Sequence, residues 1–265
     1  MTIISFIMLV PWVALTIVSI VPYTELLEGW WNIKNFKATL ANFVTAWYHP
    51  SYPLERGFIN SFIVAFFGAI LQIFIASLAA YSLVMTKLIK LRNLILGLLT
   101  ILLVFPLQSL IGPYFHLIAL FNLQDTFTAV ILTHIAYGLP WVSLFMFSYF
   151  SSLPREIEES AKVDGAPEWQ IFWRIFIPLS IPALVSVFCL QFMWMWNDYF
   201  VALVFIQSPE KLVAVQRVTM LRGEYWVDYG LLAAGSILVT LPPLILFIFF
   251  QKYFIKGYVG WIVKG

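Results

Sequence analysis

The sequence predicts an all-α membrane protein, a bundle of about six transmembrane helices with a charged cytoplasmic loop between the fourth and the fifth. One observation is the composition: of 265 residues, 62% are hydrophobic and 11% are charged, whereas charged residues make up about 25% of soluble proteins. The other is the recurrence of apolar runs of about 20 residues, the length that crosses a hydrocarbon core of about 30 Å.

Six apolar runs are long enough to be spans. They cover residues 2–21, 57–85, 94–120, 127–150, 178–205 and 231–254. The first has no basic segment before it and no small-residue cleavage site after it, so we predict a retained span; a cleaved signal peptide is the alternative. Because no tandem repeat or sizeable soluble segment interrupts the runs, residues 1–265 are predicted to form a single domain.

Basic residues determine the predicted orientation, because Lys and Arg are enriched in cytoplasmic loops. The connector after the second span, the loop after the fourth and the C-terminal tail contain Lys87, Lys90, Arg92, Arg155, Lys162, Arg174, Lys252, Lys256 and Lys264. The remaining basic residues are spread over two longer segments on the opposite side. Both termini are therefore predicted to be cytoplasmic.

Proline and glycine interrupt four of the predicted spans. They are Pro106, Gly112 and Pro113 in the third, Gly138 and Pro140 in the fourth, Pro182 in the fifth, and Pro242 and Pro243 in the sixth. Such residues are tolerated where neighbouring helices or a water-lined cavity satisfy the freed backbone groups. Ordinary kinking is one interpretation. The other is that the third and fifth spans flank a path for a polar solute.

The sequence lacks the residues that several classes of function require. The sequence has no Gly-Lys dipeptide and hence no phosphate-binding loop of the ATPase type. His49, His116 and His134 show no metal-ligand spacing, and no catalytic constellation is recognisable, so no metal and no catalytic residue are predicted. The single Cys189 excludes an internal disulfide. No basic run of the kind that binds nucleic acid occurs.

The loop over residues 153–178 concentrates charge in a chain that otherwise avoids it. Its pattern predicts two short helices. The first has Ser152 as its cap and acidic residues in its first turn, where they complement the helix dipole, and it ends at Gly165. The second begins near Pro167 with an apolar stripe of Trp169, Phe172, Trp173 and Phe176. We predict contact between the first helix and a separate cytoplasmic protein; a hairpin that only braces the bundle is the alternative.

The loop resembles that of the inner-membrane permease subunits of ATP-binding-cassette (ABC) importers. Their pattern is Glu-Ala-Ala, three residues, Gly, nine residues, Ile, one residue and Leu-Pro. Here the places are filled by Glu159, Ser160, Ala161, Gly165, Ile175, Ile177 and Pro178. Ser160 and Ile177 depart from the pattern but keep the size and character of Ala and Leu.

The resemblance extends over most of the chain and is closest to the carbohydrate-importer branch that includes the maltose permease subunits. The residues that fit this branch are Asn60-Ser61, Ala79-Ala80-Tyr81, Leu153-Pro154, Asp164-Gly165-Ala166, Trp196-Asn197-Asp198, Gly257 and Val263-Lys264-Gly265.

The resemblance implies a non-catalytic, multi-pass permease subunit in the plasma (inner) membrane of a prokaryote, forming half of a path for a sugar or oligosaccharide. Its implied partners are a second permease subunit, two ATPase subunits that use ATP, an extracytoplasmic substrate-binding protein and membrane lipid. The chain itself would bind no cofactor. The residues implied to couple to the ATPase are Glu158, Glu159, Ser160, Ala161, Asp164, Gly165, Ala166 and Pro178.

Candidates for substrate contact combine aromatic faces with hydrogen-bonding groups, which suit carbohydrates. They are Gln108, Trp194, Trp196, Asn197 and Asp198. Aromatic residues also gather in belts at membrane interfaces, which is the alternative for the tryptophans. The outer segments 24–56 and 207–229, with Trp30, Trp31, Trp47, Tyr225 and Trp226, are candidates to meet the binding protein or to anchor in the interface.

An ion-coupled secondary carrier or channel is the alternative function, and a membrane enzyme is the third. Ion-coupled carriers bury ionisable residues, and Asp198 is the one candidate deep in a span. Among sugars, oligosaccharides, polyols and glycerol phosphate esters, the sequence does not select a substrate.

Overall fold

The computed structural model describes residues 2–26, 37–222 and 227–262, and throughout these ranges the regular elements are helical. In chain order the helices are α1 (Thr2–Ile20), α2 (Tyr23–Leu26), α3 (Ala41–Trp47), α4 (Leu54–Met85), α5 (Ile89–Leu102), α6 (Leu107–Leu120), α7 (Phe127–Ser151), α8 (Arg155–Val163), α9 (Glu168–Ile171), α10 (Ile177–Leu179), α11 (Ile181–Asn197), α12 (Phe200–Phe205), α13 (Ala214–Met220) and α14 (Tyr229–Ile262). A π-helical turn, Phe172–Phe176, joins α9 to α10. The all-α prediction is confirmed.

Three helices are long and apolar enough to cross a membrane alone: α4, α7 and the Tyr229–Tyr253 part of α14. Two bent pairs supply up to two more spans, α5 with α6 and Glu168–Leu179 with α11. The N-terminal helix contributes a shorter apolar segment, Phe6–Ile20. Length and composition thus give three to five spans in the described part of the chain, and the count of six stays a prediction.

The third predicted span, residues 94–120, is not one straight helix. α5 begins earlier, at Ile89, and the axes of α5 and α6 differ by 103°. Pro106 precedes α6 with an extended backbone, ψ 142°. Proline cannot donate to the preceding turn and disfavours helical conformation in the residue before it, so the helix ends and the chain changes direction. A second bend, of 74°, precedes α11.

The chain forms two compact units, and the first consists of Met1–Ile63, Asp125–Phe127 and Trp196–Ile245. Within it, the amide of Asn42 donates to the carbonyls of Ser19 at 2.9 Å and Val21 at 3.0 Å. The last carbonyls of a helix have no partner inside the helix. Asn42 therefore satisfies the C-terminal end of α1 from α3.

The second unit consists of Val64–Gln124, Thr128–Met195 and Leu246–Gly265. Its part of α4 presents fully buried alanines at helical spacing, Ala65, Ala69, Ala76 and Ala80. Small side chains let neighbouring backbones approach closely, which is how membrane helices gain packing contacts. This close packing positions the two candidate sites described next.

Candidate coupling loop and solute cavity

The first half of the 153–178 loop is an exposed helix that ends at a glycine, as predicted. α8 ends at Val163, and Gly165 adopts a φ of +80°, the left-handed region that glycine tolerates best. The backbone N–H of Ala166 donates to the carbonyl of Ala161 at 3.0 Å and closes the helix end. A Cβ on Gly165 would meet nothing within 4 Å. Backbone conformation, and not space, therefore requires glycine here.

Ser152 does not cap α8, so that prediction is wrong. Its hydroxyl donates to the carbonyl of Tyr149 at 2.7 Å, in the last turn of α7. The cap position of α8 is Pro154, which provides no side-chain hydrogen bond. The Ser152 hydroxyl therefore bonds the C-terminal turn of α7 and does not cap α8.

The predicted coupling residues differ in exposure. Glu159, Ser160, Asp164, Gly165 and Pro178 are exposed, whereas Glu158, Ala161 and Ala166 are partly buried. The Glu158 side chain is only 18% exposed and its carboxylate pairs with Lys162 one turn later. Within the described residues, Glu159 has no cation within 4 Å. Of the two glutamates, Glu159 is the one available to a partner.

The second half of the loop is packed against α4 and α7. The Tyr81 ring lies 5.1 Å from that of Phe172 and 5.0 Å from that of Phe176, measured between centroids. Its hydroxyl donates to the carbonyl of Glu168 at 3.0 Å. Phe176 also meets Phe150 edge-on at 5.3 Å. This aromatic cluster fixes the start and the end of the π turn to α4.

The predicted apolar stripe divides into two kinds of residue. Phe172 and Phe176 are buried, while Trp169 and Trp173 are 60% and 49% exposed. Three of the four, Phe172, Trp173 and Phe176, lie in the π turn, which contains more residues per turn than an α-helix. Trp173 instead stacks on Phe74, with ring centroids 6.2 Å apart.

A cavity of about 450 Å³ lies in the second unit between the end of α5 and helices α7 and α11. It is lined by Leu102, Leu103, His134, Tyr137, Gly138, Trp141, Leu190, Gln191 and Trp194. The lining residue Trp194, one of the candidates for substrate contact, has a side chain that is 56% exposed in the chain. The cavity joins aromatic surfaces to an amide, which is the combination expected for a hydroxyl-rich solute.

The wall of the cavity depends on Gly138 and Gln72. Gln72 is fully buried, and its Nε2 donates to the carbonyls of His134 at 3.0 Å and Ile135 at 3.4 Å. Both carbonyls belong to the part of α7 that precedes Pro140. A Cβ on Gly138 would lie 2.1 Å from Gln72 Nε2. The glycine makes room for the Gln72 amide, which hydrogen-bonds α4 to α7.

The sequence interpretation missed Gln72, Tyr137, Trp141 and Gln191. A signal existed for the two amides, because each interrupts an otherwise apolar run. A polar group inside a membrane span is costly and commonly has a partner on a neighbouring helix. Sequence could not identify that partner, since the residues that Gln72 bonds are 62 and 63 positions away.

The other substrate candidates have different surroundings. Trp196 is 2% exposed and its Nε1 donates to the carbonyl of Val239 at 2.9 Å. The Asp198 carboxylate accepts the N–H of Val201 at 2.7 Å and so caps α12. Gln108 and Asn197 are exposed. Substrate contact by these four residues stays a prediction.

Residues 207–211 of the first unit are held by one carboxylate. Asp125 accepts hydrogen bonds from the N–H groups of Gln207 and Ser208, from the Ser208 hydroxyl and from the Lys211 ammonium. Burial opposes ionisation of Asp125, but these bonds outweigh it and hold its pKa well below the usual range. The 207–211 segment is therefore anchored to Asp125.

Asn60 and Ser61 secure the residues that follow. The Asn60 amide donates to the carbonyls of Glu210 at 2.9 Å and Leu212 at 3.0 Å. The Ser61 hydroxyl accepts the N–H of Ala214 at 2.9 Å. Of the aromatic residues predicted for the outer segments, Trp30, Trp31, Tyr225 and Trp226 lie outside the described residues. Trp47 packs edge-on against Phe58 at 4.9 Å.

Comparison with known proteins identifies the family. Residues 72–260 match the family model described as binding-protein-dependent transport system inner membrane component. A probable ABC transporter permease protein of Pyrococcus horikoshii is 43% identical over 97% of this chain and 92% of its own length. The arabinooligosaccharides transport system permease protein of Bacillus subtilis is 35% identical over 79% of this chain and 74% of its own length.

A solved structure has the same fold. It is a bacterial ABC transporter involved in the import of the acidic polysaccharide alginate, with a TM-score of 0.79 and 21% identity over 96% of this chain and 93% of that chain. In this family the membrane subunit is the permease, and ATP hydrolysis belongs to a separate subunit. The chain belongs to the inner-membrane components of binding-protein-dependent transport systems, the permease subunits of ABC transporters.

Proposed function

We propose that this chain forms half of the translocation path for a sugar or oligosaccharide and is coupled through α8 to an ATPase subunit. The observation that carries the proposal is the contrast within one loop. α8 is exposed and ends at a left-handed glycine, while the following π turn is packed on Tyr81. An exposed helix rigidly connected to α4 can transmit a movement of a docked partner to the membrane helices.

In this mechanism Glu159 pairs with a basic residue of the ATPase, and the small residues Ser160, Ala161, Gly165 and Ala166 let its surface come close. Asp164 borders the same surface, and Pro178 lies at the start of the helix that moves. Closure of two ATPase subunits around ATP then biases the permease between inward- and outward-facing states. A second permease subunit completes the path, and the binding protein meets the outer segments.

The proposed orientation places both termini and the 153–178 loop in the cytoplasm of a prokaryotic cell, with residues 1–265 acting as a single permease domain. The chain would hold no cofactor of its own, since ATP is used by the partner subunits. An ion-coupled carrier is less well supported because the Asp198 carboxylate already caps α12.

The coupling proposal is tested by charge reversal at Glu159. Glu159→Lys removes the proposed ion pair and brings two positive charges together, so the ATPase subunit should co-purify at least about tenfold less and transport should be lost. Glu156→Lys is the matched control, because Glu156 is exposed on the same helix outside the proposed contact. Both variants should insert normally. Equal co-purification of the ATPase with wild type and Glu159→Lys would falsify docking at this residue.

Sugar as the solute is supported by the aromatic cavity and by the oligosaccharide permease among the relatives. Trp194→Ala removes an exposed ring from the cavity wall and should raise the KM for sugar uptake by about tenfold, corresponding to about 1.4 kcal/mol of lost contact. Trp12→Ala removes a ring of similar exposure far along the sequence, on α1, and should leave KM unchanged. A KM unaffected by Trp194→Ala would remove Trp194 from the sugar path.

A further inference from the structure

A second cavity, of about 470 Å³, lies in the second unit where α4 ends and α5 and α8 begin. Four basic residues line it: Lys87, Arg92, Arg155 and Lys162. Two carboxylates, Glu158 and Glu159, are also on its wall. The lining therefore carries an excess of two positive charges, beside apolar surface from Val84, Phe150 and Phe176.

Most of this positive charge has no partner. Lys162 pairs with Glu158, but within the described residues Lys87, Arg92 and Arg155 have no carboxylate within 4 Å. The Nε of Arg92 is buried and, in the same described part of the chain, has no hydrogen-bond acceptor. Leaving a buried charged donor unpaired costs more than about 1–3 kcal/mol. An acceptor supplied by a ligand would remove that cost.

We propose that this cavity binds the phosphate of an anionic phospholipid headgroup. Arginine presents a planar fork of donors that matches phosphate oxygens, and lysine adds a point charge. α8 begins at the cavity wall at Arg155, and its cap position, Pro154, provides no side-chain hydrogen bond, so the N–H groups of its first turn are left without a side-chain acceptor.

The apolar wall favours a lipid over a soluble phosphate. A phospholipid places glycerol and acyl carbons next to its phosphate, and Val84, Phe150 and Phe176 offer them a surface. Anionic lipids of the cytoplasmic leaflet are attracted to basic residues beside transmembrane helices. The site rests on the cytoplasmic orientation proposed above but not on docking of α8. A bound headgroup would hold the start of α8 to the turn between α4 and α5.

The proposal is tested on the full chain, with the subunits that co-purify with it, in vesicles of phosphatidylcholine alone or mixed with phosphatidylglycerol. After extraction in mild detergent, retained lipid is quantified by mass spectrometry. The wild type should retain phosphatidylglycerol in preference to phosphatidylcholine. Arg92→Gln and Lys87→Gln should each lower that retention by about tenfold, since each removes a charge-assisted contact. Excess inorganic phosphate should not displace the lipid.

Lys90→Gln is the matched control for general attraction to anionic membranes. Lys90 is exposed in the first turn of α5 but does not line the cavity, so retention should stay at the wild-type level. Lys87 is exposed, so Lys87→Gln tests the site even where Arg92→Gln impairs folding. Equal loss in Lys90→Gln, or no preference for phosphatidylglycerol in the wild type, would overturn the proposal. Displacement by inorganic phosphate would overturn the lipid as its source.

Discussion

Single glycines in this chain are required for two different physical reasons. At Gly165 the reason is backbone conformation, because φ is +80° and the space around a Cβ is empty. At Gly138 the reason is space, because the buried amide of Gln72 occupies the position next to its Cα. The first glycine closes the exposed helix α8. The second allows Gln72 of α4 to bond two carbonyls of α7, at the wall of the proposed sugar cavity.

Gly138→Ala should destabilise the protein by about 1–3 kcal/mol, because Gln72 must move and its buried amide loses its hydrogen bonds. Thermal unfolding of the detergent-solubilised chain measures the effect. Gly97→Ala, in α5, is the control: outside its own helix and chain neighbours no atom lies within 4 Å of the added Cβ, and alanine favours helix more than glycine, so its stability should be unchanged or slightly higher. If the two alanine variants melt at the same temperature, Gln72 does not depend on Gly138.

At the scale of helices, local signals are readable in the sequence and bends are not. Gly165 and Pro167 determine where α8 ends and α9 begins, so the sequence predicts both positions correctly. Pro106 indicates where the helix before α6 is interrupted, but the sizes of the bends, 103° and 74°, cannot be read from the sequence. The sequence pattern likewise does not predict the π turn or the division of the stripe into buried Phe172 and Phe176 and exposed Trp169 and Trp173.

The sequence predicts the coupling loop better than the cavity, because it shows local signals but not the packing of distant segments. Glu159, Ala161 and Gly165 lie within seven residues, and one helix with its cap determines their arrangement. The cavity around Trp194 combines α5, α7 and α11, so its residues are distant in sequence. Sequence therefore predicts the exposed loop well and recovers few residues of the cavity. Trp196 is only two residues from Trp194, but it does not line the cavity. Its indole N–H donates to the carbonyl of Val239.

At the scale of the whole molecule, composition and the family match both indicate a membrane permease. The division into two compact units, in contrast, is seen only in the contacts between residues. The positions where the chain passes from one unit to the other include three inside long helices: after Ile63 in α4, after Met195 in α11 and after Ile245 in α14. Pro242 and Pro243 lie close to the third, but no proline or glycine stands at the first two. Continuous helices thus belong to both units, and only the packing of distant segments against each half distinguishes them.

The energy source is a property of the assembled transporter. The chain has no phosphate-binding loop, and in its family ATP hydrolysis belongs to a separate subunit. Vesicles that contain the chain, its co-purifying subunits and the binding protein should therefore take up sugar with ATP, but not with a proton or sodium gradient alone. Vesicles with Glu159→Lys should lose the ATP-driven uptake, because the permease is uncoupled from the ATPase. Uptake driven by an ion gradient in the absence of ATP would contradict the importer mechanism and support a secondary carrier.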